Sequence, residues 1–173
     1  VLLAPAFFEA GRSTRDDVHW AGDVPVGETE FARDASFGYR SSNLCDFVRE
    51  KRGDVAVSSL SLEDIRAGRS AELLQDAHGW VVVNAEGYDD LDAVVAGIRS
   101  TRRRFLYRTG PSFVRALAGI APRDPLTAAD IWPDGRPDGH GLVVVGSHVG
   151  LTTRQIEATE GLHEIELDVE ALD

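Results

Sequence analysis

Short apolar runs alternate with stretches of helical spacing along most of the chain. Buried strands read as continuous β-branched or aliphatic runs, and this predicts strands at 1–4, 55–59, 80–85, 105–108, 142–145 and 164–169. Between them, Leu44, Phe47 and Val48 suit one helix face, and Leu91, Val94, Val95 and Ile98 repeat at helical spacing behind Asp89, Asp90 and Asp92. Ser61 stands as a cap ahead of Asp64, and Gly68 marks that helix's end. Pro111 suits the first position of a helix running from Ser112 to Leu117.

This succession implies a three-layer α/β fold, a mostly parallel sheet with helices on both faces. Val18–Trp20 and Val24–Val26, around Ala21-Gly22-Asp23, predict a small hairpin insertion, with Pro25 confined to an edge. The proline- and glycine-rich stretch 121–141 reads as an ordered loop anchored by Leu126, Ile131 and Trp132. Ligands of such sheets bind beyond the carboxyl ends of the strands, so the candidate turns are 5–12, 107–112 and 146–150.

Length, charge and cysteine use narrow the function classes. At 173 residues the default is one domain with a substantial core. The chain lacks Met and starts directly on an apolar run, and its last residues lead out of a predicted strand; both features predict a fragment of a longer polypeptide. A net charge of −11 argues against non-specific nucleic-acid binding and against docking on an anionic membrane. Lys51 is the sole lysine, so the positive charge is almost entirely arginine, which grips carboxylates and phosphates through a planar fork. The single cysteine, Cys45, excludes an internal disulfide and a cysteine-based zinc site, and fits a reducing cytoplasm. It reads as a small residue on a helix face. The five histidines lack metal-ligand spacing, so no metal site is expected.

Two places carry chemistry. In 141–155, the predicted strand Leu142–Val145 breaks at Gly146-Ser147 and restarts as a helix, with Thr152 and Gln155 spaced as a capping box. Unpaired N–H groups and the helix dipole there suit a phosphate, although neither common nucleotide-binding glycine motif is present. His148 in the turn reads as a polar loop residue before an acid–base group. A hydrolase triad through Ser147 lacks the Gly-x-Ser-x-Gly surround. In 107–114, a strand delivers Arg108, Thr109 and Ser112 to a Gly-Pro turn, a set of donors for a carboxylate or phosphate. The same residues could serve as a helix cap and an ion pair, and both readings stay open. The Asp16-Asp17 pair reads as a solvated turn.

Several blocks occur in a characteristic order: Ala4-Pro-Ala-Phe7, Gly11-Arg12, Val24-Pro-Val26, Glu28-Thr-Glu-Phe-Ala-Arg-Asp34, Phe37-Gly-Tyr-Arg-Ser-Ser42, Phe105-Leu-Tyr-Arg-Thr-Gly110, Ser112-Phe-Val-Arg115, and Val145-Gly-Ser147 with Thr153 and Gln155. From Ala4 to about Glu157 the chain resembles the four-carbon acid sugar kinases, long catalogued as a domain of unknown function. The resemblance implies a two-lobed, ATP-dependent kinase of sugar acids such as threonate, erythronate or their oxo forms. Residues 1–160 would be the later part of the N-terminal acid-binding lobe, and 161–173 the start of the connection to a C-terminal nucleotide lobe.

On that reading Arg12, Arg40, Arg108, Thr109, Gly110 and Ser112 contact the acid, and Gly146, Ser147 and His148 contact the nucleotide. The cofactor is ATP with its Mg2+, whose ligands lie outside this chain. The family's Asp-Asp-x-Thr-Gly loop and Asp-Ser-Thr-Leu-Arg-Gly block are absent from these residues, and no general base is identified. Partners are the sugar acid, ATP and the remaining segments of the same polypeptide, with room for a homodimer; neither nucleic acid nor a membrane is expected. The alternative function is a non-catalytic sugar-acid or anion-binding module.

Overall fold

The computed structural model describes residues 1–33, 38–147, 150–168 and 171, which fall in two compact units, Val1–Arg123 and Asp124–Asp173. In chain order the first unit forms β1 (Leu2–Ala4), β2 (Arg12–Arg15), β3 (Val18–Ala21), β4 (Val24–Pro25), α1 (Leu44–Arg52), β5 (Val57–Leu60), α2 (Leu62–Arg66), α3 (Ser70–Asp76), β6 (Trp80–Val83), α4 (Tyr88–Ser100), β7 (Tyr107–Thr109) and α5 (Pro111–Ala118). Four strands make a wholly parallel sheet in the order β5-β6-β1-β7. Leu2 lies opposite Val81 on one side and Tyr107 on the other, so β1 is interior.

Successive strand side chains point to opposite faces, and β6 shows what that does here. Val81 and Val83 join Leu2, Leu91, Val94 and Phe113 in a core beneath α4 and α5, whereas Val82 joins Leu3, Leu44 and Val48 beneath α1. Helices therefore cover both faces, the three-layer arrangement the apolar runs predict. Each fully buried Val, Leu or Phe contributes about 1.5–3 kcal/mol by leaving water.

The helix ends follow the predicted chemistry. Ser61 Oγ accepts from the Asp64 N–H at 3.1 Å, Gly68 turns the chain at φ 74°, and Pro111 occupies the first turn of α5. Helix α3 was not anticipated. It packs closely on α4, where a Cβ on Gly97 would stand 2.6 Å from the Ser70 Cβ.

The hairpin insertion is a three-stranded antiparallel sheet, β2-β3-β4. Ala21 pairs with Val24, leaving Gly22-Asp23 as the turn, and Pro25 lies in the edge strand β4. Strand β2, which the hydropathy pattern did not announce, joins β3 through Asp16 and Asp17, both with positive φ, 51° and 62°. Two such residues make the tight turn whose twist matches an antiparallel pair.

The second unit contains α6 (Ala128–Ile131) and α7 (Gly150–Glu157). Here four expectations are corrected. Residues 142–145 form no strand, and Leu142, Val144 and Val145 are 89%, 82% and 45% exposed. The described part of 164–169 is also irregular, and Val169 lies outside the described residues. A strand needs a neighbour for its N–H and C=O groups, and the described residues of this unit supply none. Leu126, Ile131 and Trp132 are exposed rather than anchoring. Helix α7 starts at Gly150, two residues before the expected cap, and the Thr152 hydroxyl donates instead to Ser147 Oγ at 3.0 Å. Among the described residues no helix is long and apolar enough to cross a membrane.

Candidate functional site

The chain just beyond the carboxyl ends of β1 and β6 meets the small sheet, and backbone hydrogen bonds hold it there. Thr14 and Ala85 exchange both N–H···O bonds, at 3.0 and 2.9 Å, tying β2 to the chain just beyond β6. The His19 N–H donates to the Ser42 carbonyl at 2.9 Å, and the Leu44 N–H to the Asp17 carbonyl at 2.7 Å. Asn43 then caps α1, its Oδ1 accepting from the Cys45 and Asp46 N–H groups. Asn84, 1% exposed, is the first residue past β6. Its Oδ1 accepts from the Asp17 N–H at 2.8 Å, while its Nδ2 donates to Asp17 Oδ1 at 2.7 Å and to the Leu60 carbonyl at 2.9 Å. Asp17 is thus half-buried and bonded rather than part of a solvated turn.

Within this frame Arg12 and Arg108 border one set of aromatic rings. The Arg12 guanidinium lies 4.3 Å over the Phe31 ring. Its charge also reaches Tyr39, whose phenol burial pushes up and Arg12 draws back down. Tyr39 meets Phe47 edge-on at 5.3 Å, and Arg108 stands 5.7 Å over Phe47. Such faces attract a guanidinium while leaving its N–H fork open to an anion. Arg40, beside Tyr39, is exposed, and its backbone N–H bonds Glu50 at 3.1 Å.

Beneath this row, Thr14 and His19 are buried and share a 3.0 Å hydrogen bond. Burial, then the Arg12 charge, pushes the His19 pKa down to about 4, so the imidazole is neutral at pH 7. The Cys45 thiol is pushed up to about 11, first by burial and then by Asp17, which leaves it unreactive.

The remaining predicted residues of the first unit divide between the faces of the sheet. Strand alternation sends Arg108 toward Phe47 of α1, whereas Tyr107 packs on Phe113 of α5. Thr109 ends β7 opposite Ala4. Gly110 begins α5 so close to β1 that a Cβ would lie 2.4 Å from the Ala6 carbonyl oxygen. Ser112 is 1% exposed. Its Oγ accepts from the Phe8 N–H at 3.0 Å, donates to Glu9 at 3.3 Å and lies 3.4 Å from the Tyr88 hydroxyl. Tyr88 in turn donates to Glu9 at 2.5 Å and lies under the Arg115 guanidinium. These bonds join α5 to the turn after β1, on the face away from Arg108.

Within the second unit, Gly146 and Ser147 are exposed. His148 lies outside the described residues, as do Asp34 and Phe37 of the sequence blocks.

A cleft of about 690 Å³ opens beside Arg66, Gly68, Glu86 and Asp90. Arg66 is occupied by Asp90, at 2.9 and 3.1 Å, and by Glu86 at 3.1 Å. Two carboxylates neutralise this guanidinium, so the cleft suits an acid poorly. The rim carrying Arg12 and Arg108 is the better candidate.

Sequence reasoning missed Phe31, Tyr39, Phe47, Asp17 and Asn84. The rings stood in plain view among arginines, in Phe31-Ala32-Arg33 and Tyr39-Arg40. Asn84 was signalled by a polar amide directly after three valines.

Residues 1–117 match the family model described as sugar-binding N-terminal domain. The D-threonate kinase of Salmonella typhimurium is 29% identical over 160 residues, which cover 90% of this chain and 35% of the kinase. The chain therefore spans about a third of the length of that curated relative. Among solved structures, a Haemophilus influenzae protein superposes with a TM-score of 0.53 at 19% identity, covering 68% of this chain and 29% of that one. A Bordetella bronchiseptica domain of unknown function, described as a domain swapped dimer with bound citrate, gives 0.54 at 23% identity, covering 68% and 28%.

Proposed function

Since the chain belongs to the sugar-binding N-terminal domain family, the N-terminal domain of four-carbon acid sugar kinases, we propose that it is part of an ATP-dependent kinase acting on a four-carbon sugar acid. The acid is of the threonate, erythronate or oxo-tetronate type, and its terminal hydroxyl is phosphorylated. The similarity to D-threonate kinase over 160 residues carries this reading, and the arginine–aromatic rim supports it.

Arg12 and Arg108 bind the substrate carboxylate, with Arg40 at the margin; Thr109 offers a hydroxyl to the substrate's own hydroxyls, while Gly110 and the buried Ser112 act from behind by fixing the start of α5 against the turn after β1. Holding a short, mobile acid in one orientation is most of what phosphoryl transfer asks of this lobe. ATP supplies the phosphoryl group: the terminal oxygen bonds to the γ-phosphorus, the bond to the ADP oxygen breaks and the hydroxyl proton leaves. In the second unit, Gly146, Ser147 and His148 are assigned to the nucleotide, Ser147 through a hydroxyl already in a hydrogen bond with Thr152. Mg2+ is expected to arrive with the nucleotide, with its ligands outside this chain. Residues 1–160 serve as the acid-binding portion and 161–173 lead toward a nucleotide lobe. A cytoplasmic location fits such a kinase.

The test is ADP release by the full-length polypeptide offered a panel of four-carbon acids. At least one acid should support turnover. Arg108→Lys keeps the charge but loses the fork, so kcat/KM for that acid should fall roughly ten- to a hundredfold, as expected for losing a charge-assisted bond of about 1.5–3 kcal/mol. Binding of an acid without any ADP release would favour the non-catalytic module. Unchanged kinetics in Arg108→Lys would leave that side chain outside the site.

A further inference from the structure

We propose that Asn84 is a positioning residue, which fixes the β2–β3 hairpin over the sheet so that Arg12 stands at the acid site. The proposal rests on the kinase reading for its substrate. Four observations carry it. Asn84 is 1% exposed and directly follows the central strand β6. Its amide meets the tip of the hairpin from both sides, accepting from the Asp17 N–H and donating to the Asp17 carboxylate. Its third bond, to the Leu60 carbonyl, roots the same amide in β5. The hairpin tip it holds is unusual, since two successive aspartates there take positive φ, a conformation that persists only where surrounding contacts determine it.

Arg12 begins the strand that this turn closes. Thr14, two residues along, exchanges backbone bonds with Ala85, so the hairpin touches the β6 end at two neighbouring points. One point alone is a pivot. Two define an orientation, and a guanidinium at the far end of β2 inherits it. Misplacing a substrate-orienting group by about 1 Å is enough to cost large factors in rate.

Two variants of the full-length protein test this. Asn84→Ala removes all three bonds, and should raise the KM for the acid about tenfold while leaving the KM for ATP unchanged. Amide exchange at Asp17 should quicken while Val82 stays protected. Asp17→Gly keeps the backbone bond to Asn84 and suits φ 62°, while removing the carboxylate with its bond from Asn84 and its weak 3.9 Å contact with the Cys45 thiol; the fold is kept, and the acid KM should rise about two- to threefold. Should Asn84→Ala fail to fold, Asp17→Gly decides. An acid KM within experimental error of the wild type in Asp17→Gly, or unchanged Asp17 exchange in Asn84→Ala, overturns the proposal. If the wild-type enzyme phosphorylates no four-carbon acid, the kinase reading fails, and the exchange measurement still decides whether Asn84 holds the hairpin.

Discussion

His19, on the second strand of the small sheet, is buried, 7% exposed and bonded to Thr14. Its folded pKa of about 4 lies below the ordinary 6.5, so the unfolded chain binds more protons between those values. The stabilisation from a neutral His19 is complete above pH 6.5 and drains away as the pH falls through 6.5 toward 4. At most it amounts to about 3 kcal/mol, taking 1.36 kcal/mol per pKa unit. Urea midpoints measured from pH 8 to 4.5 should decline through this window, and His19→Gln should flatten the decline. A wild-type midpoint constant down to pH 5 would show that this imidazole titrates normally. Asp17 shows the other side of residue-level reading: its chemistry depends on Asn84, 67 positions away, and no local rule pairs them.

At the scale of elements, the parallel strands and their helices were legible because each writes its period into the sequence. Trp80–Val83 is apolar without a break because both its faces are covered. Ser61, Gly68 and Pro111 mark helix ends through purely local bonding. Strand β2 was not legible, because Arg12-Ser13-Thr14-Arg15 is polar and is held by pairing with β3. The rim was half legible: Arg12 and Arg108 could be named, but their shared aromatic row comes from long-range folding.

Gly110 offers a test at this scale. Its φ of −81° suits any residue, so only space constrains it. An added Cβ would meet the Ala6 and Pro5 carbonyl oxygens at 2.4 and 2.5 Å. Gly110→Ala should therefore destabilise the fold by about 1–3 kcal/mol through overpacking, read as a lower urea midpoint. A neutral substitution would mean that α5 can slide from β1 at little cost.

At the scale of the molecule, the buried hydrophobic residues run from Leu2 to Ala116 and the second unit contributes none among the described residues. The sequence pattern predicted a strand at 142–145 on composition alone, and composition cannot report whether a neighbouring strand is at hand. What the pattern did reveal is a segment with every local property of a buried strand.

That segment governs how the 173-residue chain behaves in a concentrated solution. Leu142-Val143-Val144-Val145 is uncharged, β-prone and open to solvent, the kind of stretch from which cross-β stacking between molecules starts. The net charge of −11 keeps molecules apart at low ionic strength, but at physiological salt that repulsion is screened beyond about 8 Å. Adding salt should bring on light scattering at a protein concentration that is clear without it. Val144→Lys, a single charge set within the run, should raise that threshold several-fold while the far-UV circular dichroism stays the same; an unmoved threshold would assign the association to another surface. The shelf life of this polypeptide in the laboratory thus hangs on four side chains that make no contribution to its core.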